Sequence, residues 1–197
     1  HLLSRRQRQM CIRDRGTRYE EPVQILSALN IMVGDENGAY RLDDTIIRSE
    51  VAKMAIHALG LEDAAESSKG QTMFDDVSAE HWANGYINLA VSQGIIEGDG
   101  DGNFRPNAPI SYAEAMTIMV RATGYTVSAE ENGGYPPGYM KTGTSNGLAK
   151  NVQGSYSDKI SRGNVAYLTT NALESKLMEQ TLSLIHISEP TRLRRIS

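Results

Sequence analysis

Residues Phe74–Gly124 read FDDVSAEHWANGYINLAVSQGIIEGDGDGNFRPNAPISYAEAMTIMVRATG, and a whole structural unit is contained in them without interruption. From His81 to Val91 the apolar positions are Trp82, Tyr86, Ile87, Ala90 and Val91, the spacing of one helix face. Gly98–Gly102 then supplies the Gly and Asp turn chemistry that stops a helix. Beyond Phe104 and a Pro-flanked turn, Ser111 stands three residues before Glu114, at the head of an apolar run. Such a pair predicts a capping box, in which the hydroxyl accepts an orphan backbone N–H and the carboxylate reaches back. The stretch is a predicted helix–loop–helix.

The pattern recurs. Offset by 64 residues, Ile31–Gly60 overlies Ile95–Gly124 without a gap, so that Gly34 meets Gly98, Tyr40 meets Phe104, Glu50 meets Glu114 and Gly60 meets Gly124. A third, weaker copy opens at Tyr135-Pro136-Pro137-Gly138-Tyr139. Its Gly147-Leu148 matches Gly94-Ile95, and Ile160–Asn164 matches Ile110–Glu114 at an offset of 50. Val165, Leu168 and Ala172 share one face of the helix that follows. Between the copies, Leu61–Thr72 and Thr126–Gly134 are polar and read as linkers. Repeats this short cannot bury their apolar faces alone and must stack on one another.

Phe74-x-Asp76-Val77, Trp82-Ala83, Gly94-Ile95, Gly98, Gly102-x-Phe104-x-Pro106 and Ile110–Glu114 together resemble the S-layer homology (SLH) module. The resemblance implies a largely α-helical fold of three helix–loop–helix repeats around a pseudo-threefold axis. The repeats would span residues 16–62 (lacking the Phe-x-Asp-Val and Trp positions), 73–125 and a degenerate 135–180. It also implies an exported bacterial protein held at the cell surface by non-covalent binding to a secondary cell-wall polysaccharide. A structural module for protein–protein assembly of a surface layer, without glycan binding, is the alternative. The chain departs from the family at Tyr112, where the Ile-Thr-Arg-Ala-Glu motif usually has Arg.

The two ends read differently from the rest. Arg5–Arg15 and Leu182–Arg192 resemble the two sides of a translated sequencing adapter, so residues 1–15 and 182–197 are expected to take no part in the fold. The expectation is a genuine segment of about Gly16–Thr181, cut from a longer gene. The 20 Lys and Arg then lose the eight Arg of the ends, and the 24 Asp and Glu lose two, leaving 12 against 22 and a net charge of −10. That balance argues against nucleic acid, whose binding rests on neutralising phosphates. Cys11 lies in the excluded part, so no disulfide framework is expected. No run approaches the roughly 18 apolar residues of a membrane span.

Arg48 and Arg162 fall in the first turn of the second helix of repeats one and three. A helix start offers free N–H groups and the positive end of the dipole, and a guanidinium beside it adds a bidentate grip on a carboxylate. The family's ligand typically carries pyruvate ketals, each presenting one carboxylate, so both Arg are expected in glycan binding. The alternative is pairing with acidic neighbours on a solvated face. Tyr112 lacks a fork and a charge, so its site is expected to be weakened unless the ring stacks on a sugar. Trp82 is either a core anchor, which its spacing with Tyr86 and Val91 favours, or a wall of a sugar groove. Glu50 and Glu114 are expected as caps.

Asp99-x-Asp101-x-Asn103 begins like a calcium loop, but Phe104 replaces the sharp-turn Gly and Ile110 stands where a bidentate Glu belongs. No metal or other cofactor is therefore expected. Outside the ends the histidines are His57 and His81, neither in a ligand or triad spacing. The segment is not expected to be an enzyme.

Overall fold

A computed structural model of the protein describes residues 16–175, and the adapter-like ends lie outside the described residues. Among the described residues there are eight helices: α1 Glu20–Ala28, α2 Arg48–Ala58, α3 Glu62–Ser67, α4 Asn84–Ser92, α5 Tyr112–Ala122, α6 Thr126–Glu131, α7 Pro137–Ser145 and α8 Arg162–Glu174. No strand is assigned among the described residues. The 64-residue offset holds to the residue, since α1 and α4, α2 and α5, and α3 and α6 start and end 64 apart. Helix α7 follows α4 at an offset of 53, and α8 begins 50 residues after α5.

The first helix of each pair ends in the same way. Asn30, Gly94 and Gly147 follow the three helices with positive φ (61°, 67° and 81°). This left-handed position turns the next N–H back onto the helix. Ile31 donates to Leu26 O, Ile95 to Ala90 O and Leu148 to Gly143 O, at 2.8, 2.9 and 2.9 Å. Each of those three apolar side chains is buried, so one motif both caps the helix and seeds the core.

Three isoleucines then close a ring about the pseudo-threefold axis. The Ile46 N–H donates to Ile160 O (3.2 Å), Ile160 to Ile110 O (3.1 Å) and Ile110 to Ile46 O (3.1 Å). All three are buried, where an unpaired backbone group would cost about 1–3 kcal/mol. Because the ring closes, it leaves no edge to pair elsewhere.

Around this ring the helices pack across pairs. The central helices α2, α5 and α8 all touch one another, while α4 packs on α2, α7 on α5 and α1 on α8. The first helix of one pair thus lies on the second helix of the pair before it, and α1 closes the circle onto α8. Tyr19 makes that closure: its ring covers Gly163 and lies 5.8 Å from the Tyr167 ring. A pair taken alone would keep neither partner, which is the physical sense of the repeat.

The two stretches expected as linkers are short helices with a packing role. A Cβ on Gly85 would sit 2.0 Å from Ala65 O, and one on Gly138 would sit 2.2 Å from Ala129 O. Helices α3 and α6 therefore lay their backbones directly on α4 and α7. Their polar composition hid this, because contact is made by a carbonyl against glycine and each helix buries a single alanine, Ala65 or Ala129.

Candidate functional site at the helix starts

The starts of α2, α5 and α8 are not open. Arg48 and Ser49 donate their N–H groups to Ala108 O and Pro106 O, each at 3.1 Å. Tyr112 and Ala113 donate to Asp158 O and Tyr156 O at 2.8 and 3.1 Å, and Arg162 and Gly163 to Asp44 O and Leu42 O at 2.9 and 2.8 Å. The expectation of free N–H groups for an anion is thus corrected. The turn before the second helix of the next pair supplies carbonyls that fill each helix start. The expected capping box at Ser111 is present: Glu114 N–H donates to Ser111 Oγ at 3.3 Å, and Ser111 N–H to Glu114 Oε2 at 2.7 Å.

Side chains repeat the same step. Arg48 is buried, and its Nε donates to Phe104 O (2.8 Å) while Nη1 donates to Glu114 Oε1 (2.8 Å). Its guanidinium carbon lies 5.0 Å from the Phe104 ring centroid. Arg162 does the same one step round: Nε donates to Tyr40 O at 2.9 Å and Nη1 to Glu50 Oε1. Tyr40 and Glu50 are the 64-residue equivalents of Phe104 and Glu114. The acidic neighbours of both Arg are therefore across a helix-pair interface.

At the third step both partners differ together. Tyr112, buried, stands where the Arg would be, and Gly154 faces its ring, with a Cβ there 3.4 Å from Cδ1. The position of Glu50 and Glu114 holds Asn164, whose Oδ1 accepts from Arg18 (3.2 Å) and from the Tyr19 hydroxyl (3.3 Å). Cation and carboxylate are replaced as a unit.

Burial would raise the Glu114 carboxyl, but hydrogen bonds from Ser111 and the charges of Arg48 and Lys159 bring it below the usual carboxylate range. It is ionised wherever the domain is folded at neutral pH. Asp99 and Asp101 do turn work: Asp101 Oδ1 accepts the Asn103 N–H at 3.0 Å, and Arg105 pairs with both carboxylates at 3.0 and 2.9 Å.

Beside Arg48 a groove of about 280 Å³ runs between α5, the turn after α4 and the residues leading into α7. Its polar walls are Arg48, Glu97, Asp99, Glu114, Arg121 and Tyr135. Arg121 was not singled out from the sequence, nor was Tyr135 as a site residue. Arg121 Nε donates to the Tyr139 hydroxyl (3.2 Å), and Nη2 lies 3.1 Å from Glu97 Oε2. The 64-residue offset contains the missing signal, because Arg121 overlies His57. His57 Nε2 meets the Tyr86 hydroxyl at 3.2 Å, the counterpart of the Arg121–Tyr139 contact.

Trp82 is 49% exposed and stacks on His81 with ring centroids 5.8 Å apart. It precedes α4, which starts only at Asn84, so the core position favoured by its spacing goes to Ala83 and Ile87 instead.

The S-layer homology domain family matches residues 14–52 and 74–116. Both stretches are S-layer homology domains. Over 161 residues, 82% of this chain, the sequence is 34% identical to the Middle cell wall protein of Brevibacillus brevis. Over 173 residues, 87% of the chain, it is 32% identical to a Cell surface protein of Thermoanaerobacter kivui. Over 101 residues, 51% of the chain, it is 30% identical to the Cellulosome-anchoring protein of Acetivibrio thermocellus. The chain spans 15%, 22% and 22% of the lengths of these relatives. SLH domains are non-enzymatic anchoring modules that bind cell-wall components, which places the chain at the bacterial cell wall or surface. Among the described residues no helix is long and apolar enough to cross a membrane.

Proposed function

We propose that this SLH module anchors its parent protein non-covalently by binding a secondary cell-wall polysaccharide that bears carboxylates, of the pyruvylated kind. The groove beside Tyr135 carries the reading, because two largely enclosed guanidiniums, the buried Arg48 and the part-buried Arg121, with side chains 10% and 11% exposed, are built into its wall. A buried guanidinium has already lost its water, so a ligand carboxylate meets it with little further desolvation. Tyr135, 56% exposed, edges the same groove and offers a ring to an apolar sugar face.

Arg162 is the second candidate. Its side chain is 18% exposed, and among the described residues its Nη2 has no protein partner, leaving one donor for a ligand oxygen. Exposed Trp82 offers a second aromatic face. Tyr112 is a weaker candidate, since it is buried and carries no charge. We take residues 135–180, described as far as 175, as a third, divergent SLH repeat, a reading supported by the place of Ile160 in the isoleucine ring.

The test is calorimetric titration of the chain with a pyruvylated disaccharide and with the same disaccharide lacking the ketal. Binding of the first and not of the second is expected. Equal binding of both, or of neither, would remove the carboxylate from the mechanism.

A further inference from the structure

Among the carboxylates around the groove, Glu97 stands apart. Glu114 is held by the Ser111 N–H as well as by Arg48, and its side chain is 29% exposed. Asp99 is paired with Arg105 and is 27% exposed. The Glu97 side chain is 72% exposed, and its carboxylate is held through Arg121. Arg121, by contrast, is 11% exposed and fixed from behind by the Tyr139 hydroxyl, which itself donates to Glu130 at 2.7 Å.

The pair is therefore asymmetric: a largely enclosed cation, held from behind by Tyr139, faces an exposed anion at the mouth of a groove. An exposed carboxylate held by one contact adds little stability and exchanges readily with solvent. What it does is fill the position from which Arg121 would meet another carboxylate. The 64-residue equivalents are Val33 and His57, so this arrangement is not a fixed feature of the repeat.

We infer that Glu97 is an internal stand-in for the ligand's carboxylate. A carboxylate-bearing saccharide entering the groove displaces Glu97 from Arg121 and takes its place, while the Glu97 side chain turns out to water. Arg121 is then the residue that selects charged from uncharged saccharide, and Glu97 sets how tightly. This rests on the glycan reading above, and names the group that recognises the ligand within it.

Glu97→Gln tests it without disturbing the core, because the side chain is exposed. In the titration with pyruvylated disaccharide, Glu97→Gln should strengthen binding about two- to fivefold, the equilibrium weight of an exposed ion pair that no longer has to be broken. Glu36→Gln, which removes the same charge from an exposed loop of the first pair, should leave the affinity unchanged. Glu97→Asp, too short to reach Arg121 in the same way, should strengthen binding too. If Glu97→Gln leaves affinity unchanged or lowers it while the wild type still binds, the displacement is refuted and the glycan reading stands. If the wild type and Glu97→Gln both fail to bind, both are refuted. An equal gain from Glu36→Gln would mean a general charge effect and would also overturn the stand-in role.

Discussion

Arg48 Nη1 and Glu114 Oε1 meet at 2.8 Å although 66 residues separate them, and each sits in the first turn of a different central helix. The same carboxylate caps its own helix through the Ser111 N–H, so one residue joins helix capping to the docking of neighbouring pairs. Arg162 and Glu50 repeat the arrangement. The motif that names the family therefore also holds the ring together.

Removing Arg48 should weaken the fold as well as any ligand contact. Arg48→Ala takes the Arg48 donors from Glu114 Oε1 and Phe104 O, leaving Glu114 only its bond from Ser111, at a cost on the order of 1.5–3 kcal/mol for a hydrogen bond to a charged group. Arg48→Lys should recover part of this at most, since an ammonium cannot reach both acceptors in one plane. Urea unfolding followed by circular dichroism measures both. Wild-type stability in either variant would show that the pair is ornamental to folding.

Tyr112→Arg, taken alone, should not restore the third pair, because Asn164 now stands where the Glu would be. The single variant should lose stability, and Tyr112→Arg with Asn164→Glu should regain part of it. The coupling is expected at about 0.5–3 kcal/mol, the range for residues in contact. Strict additivity in the double-mutant cycle would separate the two positions.

Gly85→Ala and Gly138→Ala should each destabilise by about 1–3 kcal/mol, because the added methyl overlaps a backbone carbonyl that cannot turn away. Gly154→Ala, whose Cβ would meet Tyr112 at an ordinary 3.4 Å, should be tolerated. Thermal melts of the three variants decide it. A stable Gly85→Ala would mean that α3 is free to lift off α4.

His57 should make the fold sensitive to mild acid. Burial lowers its pKa below the ordinary 6.5, and Lys53 adds to this while Glu62 opposes it. Its Nδ1 lies 3.2 Å from Glu62 Oε1 without an aligned hydrogen bond. The unfolded chain therefore takes up a proton near pH 6.5 that the folded chain accepts only lower, and stability is lost as pH falls below 6.5. Melting temperature should drop between about pH 7.5 and 5.5, and His57→Gln should flatten that slope. An unchanged slope would assign the loss to other groups.

The repeat, its 64-residue offset and the cap at Ser111 were legible because each is a matter of residue spacing along one segment. The circular packing was not, since a helical pattern at Asn84–Ser92 gives its apolar face but not the helix that covers it. That face lies on α2, from the preceding pair. The helix starts were misread for a related reason: local sequence shows which N–H groups a helix leaves unpaired, but not that Pro106 and Ala108 come round to accept them. Helices α3 and α6 escaped notice because their contact is made by backbone on glycine. Of the groove's residues, the motif points to Arg48, whereas Arg121 sits late in its helix and reads as a solvated residue until Tyr139 is seen behind it.

With a net charge near −10 outside the adapter-like ends, the proposed binding of an acidic polymer gains nothing from long-range attraction and would rest on short-range contacts in the groove. Raising salt should then weaken wall binding only mildly, unlike the steep loss shown by a basic patch. A steep fall in co-sedimentation with purified wall sacculi between low and moderate salt would point to diffuse electrostatic binding instead.

On the proposed reading, the module holds the wall through its secondary polymer. Sedimentation of the chain with purified wall sacculi, before and after that polymer is stripped off, tests this most directly. The chain should pellet with intact sacculi and stay in the supernatant with stripped ones. Undiminished pelleting with stripped sacculi would contradict the polysaccharide reading and favour attachment to another wall component or to protein.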